Sequence, residues 1–446
     1  MAKTIIQKLF SRDDGLLGQA VITFLARAGS TGVAFVMNIA IARALGANDA
    51  GIFFLSLTVV MAASVFTRFG MDNALMRFVS PLWEQKQFQN VLGVSLQGLG
   101  IVGGIGLMVT VLLYSVADFL AIDVFKEPKA SAVFHMMAFA VLPFSLVFVF
   151  SGILKAVRLP ALASVIEAGV IPFLVTVTMQ IALFFGSKAD LDMAVSSYFM
   201  ATILGMLSGL YFFMKRIPKI SQPTIMPFRE LFNSGHPLMW VAGLNFATTW
   251  SSSLFLGVFS DASSVGLYNV AHRTAILISF VLIVVNSVTV PRFAVLYSQN
   301  KLIELERLAV KSALLTSLVA FPVFVVVWFL PEQILSIFGK EFSGAATLLL
   351  IVATGQFVNV FTGSVGHLLV MTGNERLMRN NMLFTAGLSL VLNVLMVVRF
   401  GAVGAAITTS VCLATQNIIS AWFVYRKLGI RTIPGWAFVN RRWPSV

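Results

Sequence analysis

The chain has 446 residues, of which 58% are hydrophobic and only 11% are charged. Soluble domains are about half apolar and about a quarter charged, so this composition excludes a soluble globular protein. The net charge is +13. The basic residues lie mostly in short segments between apolar runs, without a separate basic patch that contains aromatic residues. They therefore indicate membrane topology rather than nucleic-acid binding.

Apolar runs long enough to cross a bilayer follow one another along the chain. A helix needs about 20 apolar residues to span the hydrocarbon core, and backbone groups in lipid must be hydrogen-bonded within the segment. We predict an all-α integral membrane protein of about twelve transmembrane helices. They cover residues 18–44, 51–69, 91–116, 132–154, 160–186, 193–214, 238–259, 265–289, 309–330, 344–371, 381–398 and 402–425.

The loops between these runs predict the orientation. With an even number of spans, both termini lie on the same side of the membrane. Basic residues are roughly four times as frequent in the tails and in the loops on that side as in the opposite loops, which predicts that both termini are cytoplasmic. The N-terminus is charged and lacks a small-residue cleavage site, so we expect a cytoplasmic tail or surface helix and not a signal peptide.

The predicted spans divide into two sets of six. A loop rich in prolines and basic residues separates them, which predicts an N-terminal lobe (1–215), a cytoplasmic linker (216–237) and a C-terminal lobe with a basic tail (238–446). The halves also share a pattern at the same spacing: residues 51–53 (GIF) precede 77–78 (RF), and 266–268 (GLY) precede 292–293 (RF). Such similarity indicates a parallel repeat about an axis along the membrane normal.

Motifs of enzymes and metal-binding proteins are absent from the sequence. The one cysteine, Cys412, rules out an internal disulfide and a cysteine-based metal site. The chain has no Gly-x-Ser-x-Gly, phosphate-binding loop, His-Glu-x-x-His or paired carboxylates near a predicted membrane face. We therefore expect no enzymatic activity and no metal or cofactor.

Charged and polar residues inside the spans are candidates for a functional site, because charge in hydrocarbon is unfavourable. No acid within a span is an obvious partner for Arg27 or Arg273, so we predict that both line a polar cavity between the halves. Arginine is suited to phosphate, because it stays charged and donates through a planar fork. The other predicted substrate-binding residues are His272, Asn269, Asn38 and Asn245.

A structural role is the alternative for many of these polar residues. Serine, threonine and asparagine often hydrogen-bond between membrane helices, and this interpretation is favoured for the stripe of Thr385, Ser389 and Asn393. Glu167, the one acid within a predicted span, either carries a coupling proton or, as we favour, pairs or snorkels near Lys155 and Arg158. For His272, packing and hydrogen bonding are favoured over titration.

Several motifs, in chain order, resemble the polysaccharide transporter family of the multidrug/oligosaccharidyl-lipid/polysaccharide exporter superfamily. They are residues 43–47 (RALGA) with 51–53 (GIF), 69–78 (FGMDNALMRF), 265–271 (VGLYNVA), Phe338, Gly339, Phe342 and Ala345, and Asn393 with 400–406 (FGAVGAA). The resemblance implies two six-helix lobes around a central cavity, and the cavities of this family tend to be cationic. The lipid II flippase branch usually has fourteen helices, which does not match twelve.

The same resemblance implies a flippase that moves a polyprenyl-diphosphate-linked oligosaccharide, such as an O-antigen, capsule or exopolysaccharide repeat unit, to the outer leaflet by alternating access. Expected partners are this substrate, membrane lipids and polysaccharide polymerase or assembly proteins, but no nucleic acid; we expect a monomer in the bacterial cytoplasmic (inner) membrane. The alternatives are a multidrug exporter for organic cations, which would need an acid in its cavity, and a membrane glycan polymerase or ligase, which would need a large outer loop.

Overall fold

The computed structural model describes residues 15–186, 189–218 and 226–432, and every regular element among them is helical. The N-terminal tail and most of the predicted basic C-terminal tail lie outside the described residues, as does part of the predicted linker, 219–225. The chain divides into two compact units, Met1–Gly243 and Leu244–Val446. They are called here the N-terminal unit and the C-terminal unit.

The N-terminal unit is built around one central helix, α4, which contacts α1, α2, α3, α5 and α7. Its elements, in chain order, are α1 (Gly15–Arg68), α2 (Met71–Glu84), α3 (Phe88–Ser115), a short π-helix (Phe119–Val124), α4 (Ala130–Ala156), α5 (Pro160–Ala168), α6 (Val170–Phe184) and α7 (Leu191–Arg216). The next helix, α8 (Phe228–Phe259), includes the end of the predicted linker and crosses the boundary between the units.

The C-terminal unit has a central helix as well, α13, which contacts α9, α11 and α15. Its elements after α8 are α9 (Ala262–Ala275), a 3-10 helix (Ile276–Ser279), α10 (Phe280–Ser298), α11 (Leu302–Phe329), α12 (Pro331–Ser336), a 3-10 helix (Lys340–Ala345), α13 (Ala346–Thr362), α14 (Val365–Met371) and α15 (Glu375–Leu428). The two central helices, α4 and α13, fall in the fourth and tenth predicted spans, which occupy equivalent places in the predicted repeat.

The apolar helices confirm an all-α, multi-pass membrane protein. In the described part of the chain, eight helices are long and apolar enough to cross a membrane, or nine if α5 and α6 form one bent span. Two of the eight, α1 and α15, each contain two predicted spans, whereas α8 is not among the eight. The total of twelve and the cytoplasmic location of the termini therefore stay predictions.

Two glycines join pairs of predicted spans into long, kinked helices. Gly46 in α1 (φ 72°, ψ 177°) and Gly401 in α15 (φ 53°, ψ −130°) have non-helical backbone angles. A side chain would strain this left-handed region, whereas glycine adopts it readily. Both glycines belong to the motifs of the family resemblance, so these motifs mark the points where the chain changes direction between spans.

The segment predicted as the loop between the second and third spans contains a helix, α2. Met71, Ala74, Leu75 and Val79 are buried, whereas Arg77 on the other side is exposed. This spacing gives one apolar face, which packs against α4. The sequence prediction missed the helix because it is short and polar compared with a membrane span.

Candidate functional site

A carboxylate joins two basic side chains inside the N-terminal unit. Glu167, near the end of α5, accepts a hydrogen bond at Oε1 from Arg27 Nη1 of α1, at 3.2 Å. Its Oε2 pairs with Lys155 Nζ of α4 and accepts a hydrogen bond from Ser151 Oγ at 2.7 Å. Three helices therefore meet at one carboxylate. We call Arg27, Ser151, Lys155 and Glu167 the Glu167 cluster.

The cations of the Glu167 cluster are more accessible than its acid. The side chains of Arg27 and Lys155 are 38% and 32% exposed, whereas that of Glu167 is 14% exposed. An anion approaching from the exposed side therefore meets the guanidinium and ammonium groups first. The cluster is thus a largely buried carboxylate paired with two partly exposed basic side chains.

A second ion pair lies beside this cluster. Arg68, at the end of α1, pairs with Asp72 of α2 at 3.5 Å, and its guanidinium lies 4.4 Å from the centre of the Phe148 ring. Arg68 is also close enough to Glu167 to interact with it electrostatically. Three cations and two carboxylates therefore share this part of the unit, and the local charge is positive.

The break between α5 and α6 places Glu167. The two helices are bent by 44° at Gly169. Pro172 has no backbone N–H to donate to the Ala168 carbonyl, which favours the end of α5 at this point. A Cβ atom at Gly169 would lie 2.7 Å from Ser30 Oγ, so the break packs closely on α1, one turn from Arg27.

The positions of the α4 residues in the cluster depend on helical spacing and on the close approach of the α2 backbone to α4. Ser151 and Lys155 are four residues apart and share one face of α4. Between them, Gly152 lies against the backbone carbonyl of Asp72, where a Cβ atom would clash. The start of α2 can therefore lie directly on α4, and this brings the Arg68–Asp72 pair beside the cluster.

The absence of an acidic partner for Arg27 was a wrong prediction. Glu167 is that partner, so Arg27 is not an isolated cation. The expected pairing of Glu167 with Lys155 is present. Arg158, the other basic residue predicted to lie near Glu167, instead pairs with Glu84: Arg158 Nε donates to Glu84 Oε1 at 2.6 Å on an exposed surface. The proton-carrying role of Glu167 stays a prediction.

The predicted cation of the C-terminal unit has different surroundings. The Arg273 guanidinium lies 5.1 Å from the centre of the Trp250 ring, a cation–π contact. His272 is 1% exposed, stacks on Tyr268 with 5.6 Å between ring centroids, and meets Trp250 edge-on. Within the described residues, neither ring nitrogen of His272 has a hydrogen-bond partner. The favoured interpretation of His272 as a packed residue fits this, but the expected hydrogen bond is missing.

The remaining predicted substrate-binding residues do not form one site. Asn269 is fully buried and donates to Ser253 Oγ at 2.7 Å, which links α9 to α8. Asn38 is 5% exposed and donates to the Ala34 carbonyl of its own helix at 2.9 Å. Asn245 lies on α8 and is exposed. Their roles in substrate binding stay predictions, and the packing of Asn269 favours a structural role in this conformation.

A network of neutral side chains holds the C-terminal unit together. Asn393 of α15 donates to Ser251 Oγ of α8 at 3.1 Å, and Ser251 lies 3.0 Å from Ser389 Oγ. Tyr268 OH lies 2.7 Å from Thr409 Oγ1, which donates to Ser252 Oγ at 3.0 Å. Helices α8, α9 and α15 are thus linked by hydrogen bonds, as the structural alternative for the Ser389 and Asn393 stripe predicts.

Comparison with known proteins defines the family. The model of the family described as "Polysaccharide biosynthesis protein" matches residues 16–297, which is more than half of the chain. The chain belongs to this family. A second family model, MatE, matches residues 237–395. These matches confirm the predicted multidrug/oligosaccharidyl-lipid/polysaccharide exporter superfamily and a transporter rather than an enzyme.

Individual relatives are distant. An uncharacterised membrane protein of Methanocaldococcus jannaschii is 22% identical over 431 residues, which cover 92% of this chain and 83% of that protein. The probable low-salt glycan biosynthesis flippase Agl15 of Haloferax volcanii is 25% identical over 244 residues, about half of each chain (53% of this one and 52% of Agl15). The lipid II flippase MurJ in an inward closed conformation shares the fold, with a TM-score of 0.72 and 14% identity, over 91% of this chain and 87% of MurJ.

Proposed function

We propose that this family member is a flippase that moves a polyprenyl-diphosphate-linked oligosaccharide from the cytoplasmic to the outer leaflet by alternating access. The oligosaccharide is an O-antigen, capsule or exopolysaccharide repeat unit. The family of the chain and the printed name of Agl15, a probable glycan biosynthesis flippase, support a lipid-linked glycan as the substrate class. The Glu167 cluster is the observation that carries the proposal.

The diphosphate is the most demanding part of such a substrate. Moving an anion out of water is unfavourable unless cations and hydrogen-bond donors replace the lost water. Arg27 and Lys155 offer partly exposed positive charges, and the fully buried Ser151 adds a hydroxyl donor that now donates to Glu167. We assign the diphosphate to these groups, while the polyprenyl chain stays in the bilayer.

Flipping by the purified chain tests this proposal. The full chain is reconstituted in liposomes with a polyprenyl-diphosphate glycan that carries a fluorophore on its sugar. Fluorescence quenching then measures how much of the label appears in the outer leaflet. We expect the wild-type chain to accelerate flipping and Arg27→Gln to lose most of this acceleration. Arg158→Gln is the matched control, because Arg158 is also a paired arginine of the N-terminal unit but lies outside the cluster. Equal flipping by Arg27→Gln and wild type would contradict the proposal.

A multidrug exporter is the second candidate, and the MatE match over residues 237–395 favours it. An exporter of organic cations needs an accessible acid. Glu167 is less exposed than the two cations that it pairs with, so an incoming cation would meet positive charge first. Drug resistance on overexpression of the chain in a strain with normal surface glycan would favour this candidate over a glycan flippase.

The cellular setting follows from the proposed substrate. A lipid-linked repeat unit is assembled on the cytoplasmic side, so the proposal places the chain in a bacterial cytoplasmic (inner) membrane. We expect it to act there as a monomer. Polysaccharide polymerase or assembly proteins would then receive the exported unit. Loss of surface glycan on deletion of the chain, with accumulation of lipid-linked units inside the cell, would support this setting.

A further inference from the structure

We infer that Glu167 is an internal competitor of the substrate: its carboxylate occupies the anion position of the empty site, gives way to the diphosphate, and returns to release it. This inference rests on the proposed function and assigns a regulatory role to a residue of the same site. It concerns how tightly the site holds its substrate, whereas the proposed function concerns what is moved.

The contacts of Glu167 are those that a phosphate group would make. One carboxylate oxygen lies 3.2 Å from Arg27 Nη1, and the other pairs with Lys155 and accepts a hydrogen bond from Ser151 at 2.7 Å. Arginine and lysine donors bind carboxylate and phosphate oxygens with similar geometry. An anionic ligand that bridges Arg27 and Lys155 would therefore use the donors that Glu167 now occupies.

The difference in exposure provides a route for the exchange. Arg27 and Lys155 are each about one-third exposed, whereas Glu167 is 14% exposed. A diphosphate can contact both cations from the exposed side before the carboxylate leaves. Neither cation has to lose its partner during the exchange, so the large cost of an unpaired charge in a poorly solvated site is avoided.

The diphosphate is the favoured partner of the two cations when it is present, and Glu167 is their partner when it is absent. A diphosphate carries more negative charge than a carboxylate, so it interacts more strongly with the cations at equal distance. Glu167 is covalently attached and never diffuses away, so it refills the site once the diphosphate begins to dissociate. The competitor thus keeps the affinity low enough for release after transport.

Binding of a soluble prenyl diphosphate tests the competitor role. The full chain is placed in phosphatidylcholine nanodiscs, and farnesyl diphosphate is titrated by calorimetry at constant ionic strength. Because Glu167→Gln removes a competing charge a few ångströms from the site, we expect binding to tighten by about tenfold. In the flipping assay the same variant should be slower, because release is slower. The Glu84→Gln variant removes the same charge from the exposed Arg158 pair and should change the affinity by less than about twofold.

A second variant separates competition from a structural role. Glu167→Ala leaves room for a small carboxylate, so added acetate should weaken farnesyl diphosphate binding to this variant, whereas equal chloride should not. Acetate should have no such effect on wild type, where Glu167 already fills the position. If Glu167 had only a structural role, there would be no reason for acetate to weaken farnesyl diphosphate binding to this variant.

The outcomes distinguish the inference from the proposed function. Unchanged or weaker binding in Glu167→Gln would overturn the competitor role, and so would equal tightening in Glu84→Gln, which would indicate a general charge effect. A wild-type chain that fails to flip the lipid-linked glycan would overturn the proposed function instead, whatever the variants bind.

Discussion

The main side-chain clusters of the two units join helices by different chemistry, although a neutral Ser145–Ser64 hydrogen bond also joins α4 to α1. In the N-terminal unit, α1, α4 and α5 meet at the ionic Glu167 cluster, whose cations are partly exposed. In the C-terminal unit, α8, α9 and α15 meet through neutral hydroxyls and amides such as Ser251, Asn393 and Tyr268, which are buried. The difference suggests a division of roles, in which the first unit binds an anion and the second provides a stable frame.

The physical basis of this division is how each type of contact responds to a charged ligand. A partly exposed ion pair can exchange one of its members for another ion, because an incoming anion replaces the interaction that is lost. A buried network of neutral groups offers no net charge to attract an anion, and opening it leaves unsatisfied donors and acceptors. Ion pairs are therefore suited to a binding site and neutral networks to a scaffold.

Removal of the whole Arg27–Glu167 pair is the strongest test of the division, and we expect the largest effect from it. The double variant Arg27→Gln/Glu167→Gln removes one positive and one negative charge and leaves only the partly exposed Lys155 without its partner, so we expect only a small loss of thermal stability. Flipping of the lipid-linked glycan should nevertheless fall by about 100-fold, equivalent to about 2.7 kcal/mol, because the diphosphate loses a cation. The measurement is initial flipping rate against melting temperature in the same detergent-free preparation.

The opposite result would change the view of the N-terminal unit. If the double variant flipped the glycan at the wild-type rate, the ion pair would be a structural contact like those of the other unit, and the comparison would fail. Arg158→Gln/Glu84→Gln is the matched control, because it removes an exposed pair of the same unit. Such pairs contribute about 0–1 kcal/mol to stability, so this control should change neither the flipping rate nor the melting temperature.

The sequence predicted the fold and the neutral contacts of the C-terminal unit better than the ionic cluster of the N-terminal unit. The membrane class, the helical fold and the family follow from composition and from short motifs, because long apolar runs and kink glycines such as Gly46 and Gly401 have few structural solutions. The role of the Ser389 and Asn393 stripe as a contact between helices was also the favoured interpretation, because regular four-residue spacing places polar groups on one face.

The partner of Arg27 was not predictable in the same way. Arg27 and Glu167 are 140 residues apart, and their contact depends on which face α1 turns toward α5. Apolar residues occur on most sides of these helices, so hydrophobic periodicity alone does not show that face. Ser151 and Lys155 were a usable signal, because their four-residue spacing places two donors on one face near the end of a span, close in sequence to Glu167.

A change in the neutral network should have a smaller effect, and on stability rather than transport. Asn393→Leu removes the hydrogen bonds to Ser251 and Ser389 and places an apolar side chain among hydroxyl groups. We expect a loss of about 1 kcal/mol in the free energy of unfolding, the scale of hydrogen bonds between membrane helices. Binding of farnesyl diphosphate should remain within about twofold of wild type. Val391→Ala, on an exposed part of the same helix, is the control for general sensitivity of α15.

A loss of farnesyl diphosphate binding in folded Asn393→Leu would count against the division of roles. It would show that the C-terminal unit contributes to the anion site despite its lack of charged groups in this network. A fall in melting temperature with unchanged affinity would instead support the scaffold role. The two readouts are independent, so the variant gives an answer even when it is substantially destabilised.

Arg273 provides the smallest and most delicate test, because it is the predicted cation of the unit that we describe as a frame. Its guanidinium lies over Trp250, and Arg273→Lys keeps the positive charge but replaces the planar group by a compact ammonium. If packing on Trp250 is its main role, stability should fall by about 0.5–1 kcal/mol and flipping should stay near wild type. Arg273→Gln should then resemble Arg273→Lys in the flipping assay. A small loss of flipping in Arg273→Lys and a large loss in Arg273→Gln would instead show that flipping depends on the positive charge of Arg273. The C-terminal unit would then contribute a cation to substrate binding.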